Sequence, residues 1–145
     1  MLSRITLCLA VLALVVCGGA NIAMAQDVIH THLNDTVIKV KATDDPVQKR
    51  AILGENVDGL IKAIDTVQGS PGVSKEDAAG LDELKVALQE KSDELGGRNG
   101  FDPVPDNQLN AFSDYVVQDI EQAAETITIS VVTLLLILII IILIA

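Results

Sequence analysis

Through the middle of the chain apolar residues recur at helical spacing, and at its end they fuse into an unbroken run. Leu53, Val57, Leu60, Ile64 and Val67 step by four, three, four and three, with Glu55, Asp58, Lys62 and Asp65 off the stripe. Asp44 or Asp45 is placed to cap this helix, Pro46 suits its first position, and Gly69-Ser-Pro-Gly72 ends it. Gly54 and Gly59 weaken it by up to ~1 kcal/mol each, so tertiary packing must support it. Ser74, with Asp77 three residues on, reads as the capping box of a second helix. Leu81, Leu84, Leu88 and Leu95 form its apolar face, and Gly96-Gly97 stop it. After the loop Arg98–Pro105, Asp106 caps a third helix. Its stripe (Leu109, Phe112, Val116, Ile120, Ala123, Ile127) leads straight into the tail, which predicts one continuous helix. These three stripes predict an all-α fold, a small three-helix bundle over residues 46–126, each stripe closing on the others. Separate helices that pair only with partner chains are the alternative.

The tail, Ile127–Ala145, has 19 residues without a charge, a proline or a glycine. As a helix it would reach ~28 Å, close to the hydrocarbon thickness of a bilayer. It therefore predicts a membrane segment. No Lys or Arg follows it and the last basic residue before it is Arg98, so no charge asymmetry sets an orientation. Two readings stay open: a permanent transmembrane helix, or the removable tail of a GPI-anchor signal. For the second, the best-placed attachment residue is Ser113, followed by Asp114 and then by Tyr115, which is large for its position.

At the other end, Arg4 precedes an apolar run from Ile5 to about Gly18, and Ala23-Met-Ala25 offers a small-x-small cleavage pattern before Gln26. Residues 1–25 read as a secretory signal peptide, with an uncleaved N-terminal anchor as the alternative. Its removal takes away Cys8 and Cys17, so the mature chain has no disulfide, no Cys metal site and no Cys nucleophile.

Between signal and helices, Val28–Leu33 and Thr36–Lys41 are rich in β-branched residues around Asn34-Asp35. They predict a β-hairpin or a disordered arm over residues 26–45. Asn34-Asp-Thr36 is an N-glycosylation sequon placed in that turn. His30 and His32 would share a strand face, but no further ligand cluster accompanies them and no metal site is expected. Lys49-Arg50 follows the acidic Asp44-Asp-Pro46 and is a candidate dibasic processing site. If it is cut, residues 26–50 are a propeptide. The competing reading is two solvated charges in the first turns of a helix.

Charge narrows the function classes. Net charge is −10, and −11 once Arg4 leaves with the signal, which disfavours nucleic acid and anionic lipid as partners. With no Trp, one Tyr and two Phe, any core is aliphatic. No Gly-x-Ser-x-Gly elbow, phosphate-cradling glycine loop or calcium-hand spacing occurs, and Asp82-Glu83 and Asp93-Glu94 sit beside stripe residues on polar faces. No catalytic residue and no cofactor is expected.

Val57-Asp-Gly-Leu60-Ile-Lys-Ala63-Ile64 before a Gly/Pro turn, a second Leu-spaced helix, and Pro103-Val-Pro-Asp106 leading into a third are similar to the fungal hydrophobic-surface-binding protein A family. The resemblance covers roughly residues 49–127. It implies a non-enzymatic, all-helical surface protein that adsorbs to apolar material. The chain is shorter than that pattern, and its apolar tail stands where further soluble helix belongs.

Two functions are consistent with these features. One is a small acidic module on the cell surface or another secretory-pathway membrane, held through Ile127–Ala145 and binding protein, wall material or an apolar surface. The other is a single-span accessory subunit of a membrane complex; the tail's lack of small-residue spacing argues for the first.

Overall fold

The computed structural model describes residues 21–127 together with 136, 137, 139, 140 and 143. The described residues form four α-helices: α1 (Asn21–Ala42), α2 (Pro46–Gln68), α3 (Lys75–Gly96) and α4 (Leu109–Thr126), the last entered through a 3-10 turn at Asp106–Gln108. No strand occurs among them.

Local chemistry sets the boundaries. The Asp45 carboxylate accepts the Val47 N–H at 3.0 Å with Pro46 in the first turn, and the Ser74 hydroxyl accepts the Asp77 N–H at 3.0 Å. α3 ends on Gly97 in the left-handed region (φ 67°). The Arg98 N–H then returns to the Asp93 carbonyl at 2.9 Å. Only glycine fits there, because a Cβ at residue 97 would lie 2.7 Å from Pro103 Cδ.

The helices alternate in direction. α1 packs on α2 and α4, and α3 packs on α2 and α4, so consecutive helices are neighbours and the ring closes. Lys41 near the end of α1 reaches Asp114 near the start of α4 at 2.8 Å, while His30, midway along α1, meets Glu121 late in α4. One end of the bundle therefore carries the start of α1, the 69–74 link and the end of α4. The other carries residues 43–45 and the loop 97–108.

The core holds the predicted stripes: Leu53, Val57, Leu60, Ile64 and Val67 from α2, Leu81, Leu84, Leu88 and Leu95 from α3, and Leu109, Phe112, Val116 and Ile120 from α4. Ala123 and Ile127 are half-buried against it.

The structure corrects three expectations. The β-hairpin or disordered arm over residues 26–45 is instead α1, and the three-helix bundle is a four-helix one. Leu33, Val37 and Val40 are spaced by four and three and all are buried, as is Thr36. That helical stripe lay inside a β-branched run, and burial against α2 and α4 overrides strand propensity. Asn34-Asp35 is accordingly mid-helix and no turn. Nor does α4 run on into the tail: Ile127 is extended (φ −101°, ψ 128°) and breaks the helix.

Most of the expected signal peptide, residues 1–20, and most of the tail lie outside the described residues. Within the tail, Leu136, Ile137, Ile139, Ile140 and Leu143 are helical. Among the described residues no helix is long and apolar enough to cross a membrane.

Candidate functional site

Lys91 is the one large charged side chain sunk into this bundle among the described residues, with 1% of its surface exposed. Its place follows from helical spacing. In α3, Leu84, Leu88, Lys91 and Leu95 step by four, three and four, so Lys91 occupies an inward position. Opposite it, α4 presents Tyr115 and Asp119, one turn apart.

The ammonium donates to the Tyr115 hydroxyl at 2.8 Å, to Glu94 Oε1 at 3.1 Å and to Asp119 Oδ2 at 3.3 Å, with Glu90 Oε1 at 4.0 Å. It also stands 4.2 Å from the centroid of the Tyr115 ring, which lies tilted against Phe112 at 6.1 Å. Burial works to lower the lysine pKa. The hydrogen bonds to Tyr115, Glu94 and Asp119 outweigh it and hold the amine above its ordinary value. A protonated amine whose three N–H groups are all donated offers no lone pair for attack or proton abstraction. The arrangement serves to join α3 to α4.

A second polar cluster closes the end of α3. Asp93 accepts from Asn99 Nδ2 at 2.6 Å, Arg98 Nε at 3.2 Å and Gln89 Nε2 at 3.4 Å. The Asn99 bond, against desolvation and with help from Gln89 and Arg98, holds the Asp93 carboxyl below its ordinary range. Arg98 also reaches the Ser92 hydroxyl at 2.6 Å, and that hydroxyl donates to Asp58 at 3.3 Å on α2.

The residues singled out in the sequence do not gather into one site, although Asn34 and His30 meet. Arg50 of the dibasic pair lies in the first turns of α2 and clamps the far end of the bundle. Its guanidinium donates to the carbonyls of Leu95 and Val104, both at 2.6 Å, and to Asp106 at 2.9 Å. Lys49 reaches Asn110 at 2.7 Å. Ser113 is fully buried in α4 and donates to the Asn110 carbonyl at 2.7 Å. A chain ending there would lose Val116, Val117 and Ile120 from the core. Asn34 is half-buried and bonds His30 at 3.0 Å, and Thr36 of its sequon bonds Asn56 at 2.9 Å.

His30 and His32, two apart on a helix, point to different sides. Burial and Lys39 push the His32 pKa down against Asp35. Ala25 and Gln26, the expected cleavage point, fall within α1. Among the described residues no group of three or more His, Cys, Asp or Glu is placed to hold a metal ion.

The cavity between α1, α2 and α4, lined in part by Leu33, Leu60, Ser113 and Val117, is about 10 Å³, the space of a single water. The Lys91 cluster was missed in the sequence, although the gap between Leu88 and Leu95 marked residue 91 as an inward position. Comparison with protein-family models, with curated proteins and with solved structures gave no match.

Proposed function

We propose that this chain is a non-enzymatic surface protein of the secretory pathway: a small acidic helical module held at a membrane through residues 127–145 and used for binding or adhesion. The observation that carries the reading is the antiparallel pairing of α1 with α4. The chain leads into α1 and out of α4 at one end of the bundle, so the anchored end and the binding end are opposite.

The free end holds the 97–108 loop, fixed by Arg50 and carrying half-exposed Phe101, with exposed Val47 at the start of α2. Asp44, Asp45, Asp102 and Asp106 lie in the same segments. An apolar-and-acidic tip suits a protein or wall surface with apolar patches, as the likeness to the hydrophobic-surface-binding family implies.

The test is recovery of the full chain from membranes at alkaline pH, before and after phosphatidylinositol-specific lipase. Retention in the pellet supports membrane anchoring, and lipase release identifies the anchor as a lipid. Recovery in the soluble fraction before lipase sinks the proposal. If the chain is retained and elutes only with other membrane proteins in mild detergent, the accessory-subunit reading replaces the adhesion one.

A further inference from the structure

Just past α3 the chain turns on Asn99-Gly100, the one Asn-Gly pair in the sequence. Both residues have positive φ, 53° and 90°, and the Phe101 N–H closes the turn on the Arg98 carbonyl at 3.0 Å. Positive φ at both central residues marks a type I′ turn, which Asn followed by Gly suits. The turn is exposed, and nothing lies within 4 Å of where a Gly100 Cβ would stand. Inward, the Asn99 amide donates to Asp93 Oδ2 at 2.6 Å, the shortest of the bonds that hold this buried carboxylate.

We propose that Asn99 is a site of spontaneous deamidation, and that its conversion to aspartate or isoaspartate loosens the 97–108 loop from the end of α3. The Gly100 backbone nitrogen bonds to Asn99 Cγ while the Cγ–Nδ2 bond breaks, and the Gly100 amide proton leaves with that nitrogen as ammonia. Water then opens the cyclic imide. Attack at Cγ gives aspartate, and attack at the Asn99 main-chain carbonyl gives isoaspartate, with the chain rerouted through Cγ. Water is the only reactant consumed. The inference is independent of the membrane reading of residues 127–145.

The structure sets Asn99 apart from the other asparagines by its neighbour. The Gly100 N–H is the central amide of the turn, outside the bond that closes it, and no side chain shields its nitrogen. Asn34 and Asn56 lie inside α1 and α2, where the following N–H belongs to the helical ladder. Asn21, Asn107 and Asn110 precede Ile, Gln and Ala, whose side chains crowd the attacking nitrogen.

The consequence follows from what the amide holds. Either product puts a carboxylate where a donor stood, against an Asp93 that is 6% exposed. Arg98 Nε at 3.2 Å and Gln89 Nε2 at 3.4 Å are then the remaining donors to Asp93. Isoaspartate also adds a methylene to the backbone, which spoils the closure of Phe101 on Arg98. Phe101 lies on the same loop that carries the apolar-and-acidic tip, so the change falls at that end of the bundle.

The experiment ages the folded full chain in warm, mildly alkaline buffer and maps deamidation at every asparagine by peptide mass spectrometry. Isoaspartate is identified with an isoaspartate-specific carboxyl methyltransferase. The proposal expects Asn99 to react several-fold faster than any other asparagine. It also expects the aged chain and Asn99→Asp to exchange amide hydrogens several-fold faster across residues 93–101, with α1 and α2 unchanged. Asn99→Gly keeps the left-handed turn and removes the donor without adding charge, so its rise should be smaller. Another asparagine reacting first, or Asn99 reacting only in urea, overturns the site. Deamidation with unchanged exchange overturns the loosening, and equal rises in Asn99→Gly and Asn99→Asp overturn the like-charge cause.

Discussion

Lys91 of α3 donates to the Tyr115 hydroxyl of α4 at 2.8 Å while its charge stands 4.2 Å from the centre of the same ring. One residue thus receives the amine through both its polar tip and its face. Lys91→Ala would remove the cation and leave Glu94 and Asp119 facing each other at a packed seam. Because both carboxylates keep some access to water, the expected loss is about 2–3 kcal/mol, below that of a fully buried pair. Urea unfolding followed by helical circular dichroism checks this, and Tyr115→Phe should cost less because the ring and two carboxylates remain.

Two glycines should respond to alanine in opposite senses. Gly97 sits at positive φ with Pro103 against its would-be Cβ, so Gly97→Ala should cost at least about 2 kcal/mol. Gly59 is inside α2 with open space around it, and Gly59→Ala should stabilise by about 0.5–1 kcal/mol. Melting temperatures of the two variants moving apart around wild type would verify the assignment.

The pH dependence has a definite sign. Folding depresses the His32 pKa, so below the unfolded value near 6.5 the unfolded chain binds more protons than the native one. Stability should therefore fall as pH drops through about 6.5, until the folded His32 is itself protonated. His32→Gln should flatten that part of a stability–pH profile. Asp93 is depressed as a carboxylate, so its contribution is present above about pH 4 and lost as pH falls through its folded pKa; Asp93→Asn should remove it.

Processing at Lys49-Arg50 should depend on folding. Arg50 is held in a helix by three hydrogen bonds, so a dibasic-specific protease should spare the native chain and cut it in urea. Arg50→Lys keeps a basic pair but loses the fork, and should cost about 1–2 kcal/mol while speeding cleavage. Rapid cutting of the native wild type after Arg50 would instead favour the propeptide reading, with α1 discarded.

The helical class, three of the four helices and their core stripes were legible in the sequence, because Leu53 to Val67, Leu81 to Leu95 and Leu109 to Ile120 keep helical spacing without competition. α1 was not legible. Its stripe is short, and its buried Val37 and Val40 carry strand propensity that packing against α2 and α4 overrides. The polar interior was hidden for a related reason: Lys91 interrupts the leucine stripe with a residue ordinarily assigned to the surface, and its partners Tyr115 and Asp119 are far away in sequence. Spacing shows which way a side chain points. It does not show which distant residue will meet it.

The shared exit of α1 and α4 also determines how the bundle would yield to force. A lateral pull separating the two exits loads the α1–α4 seam as a zipper, not in shear. His30–Glu121 would part first and Lys41–Asp114 last, so the seam would open rung by rung at low load instead of rupturing at once.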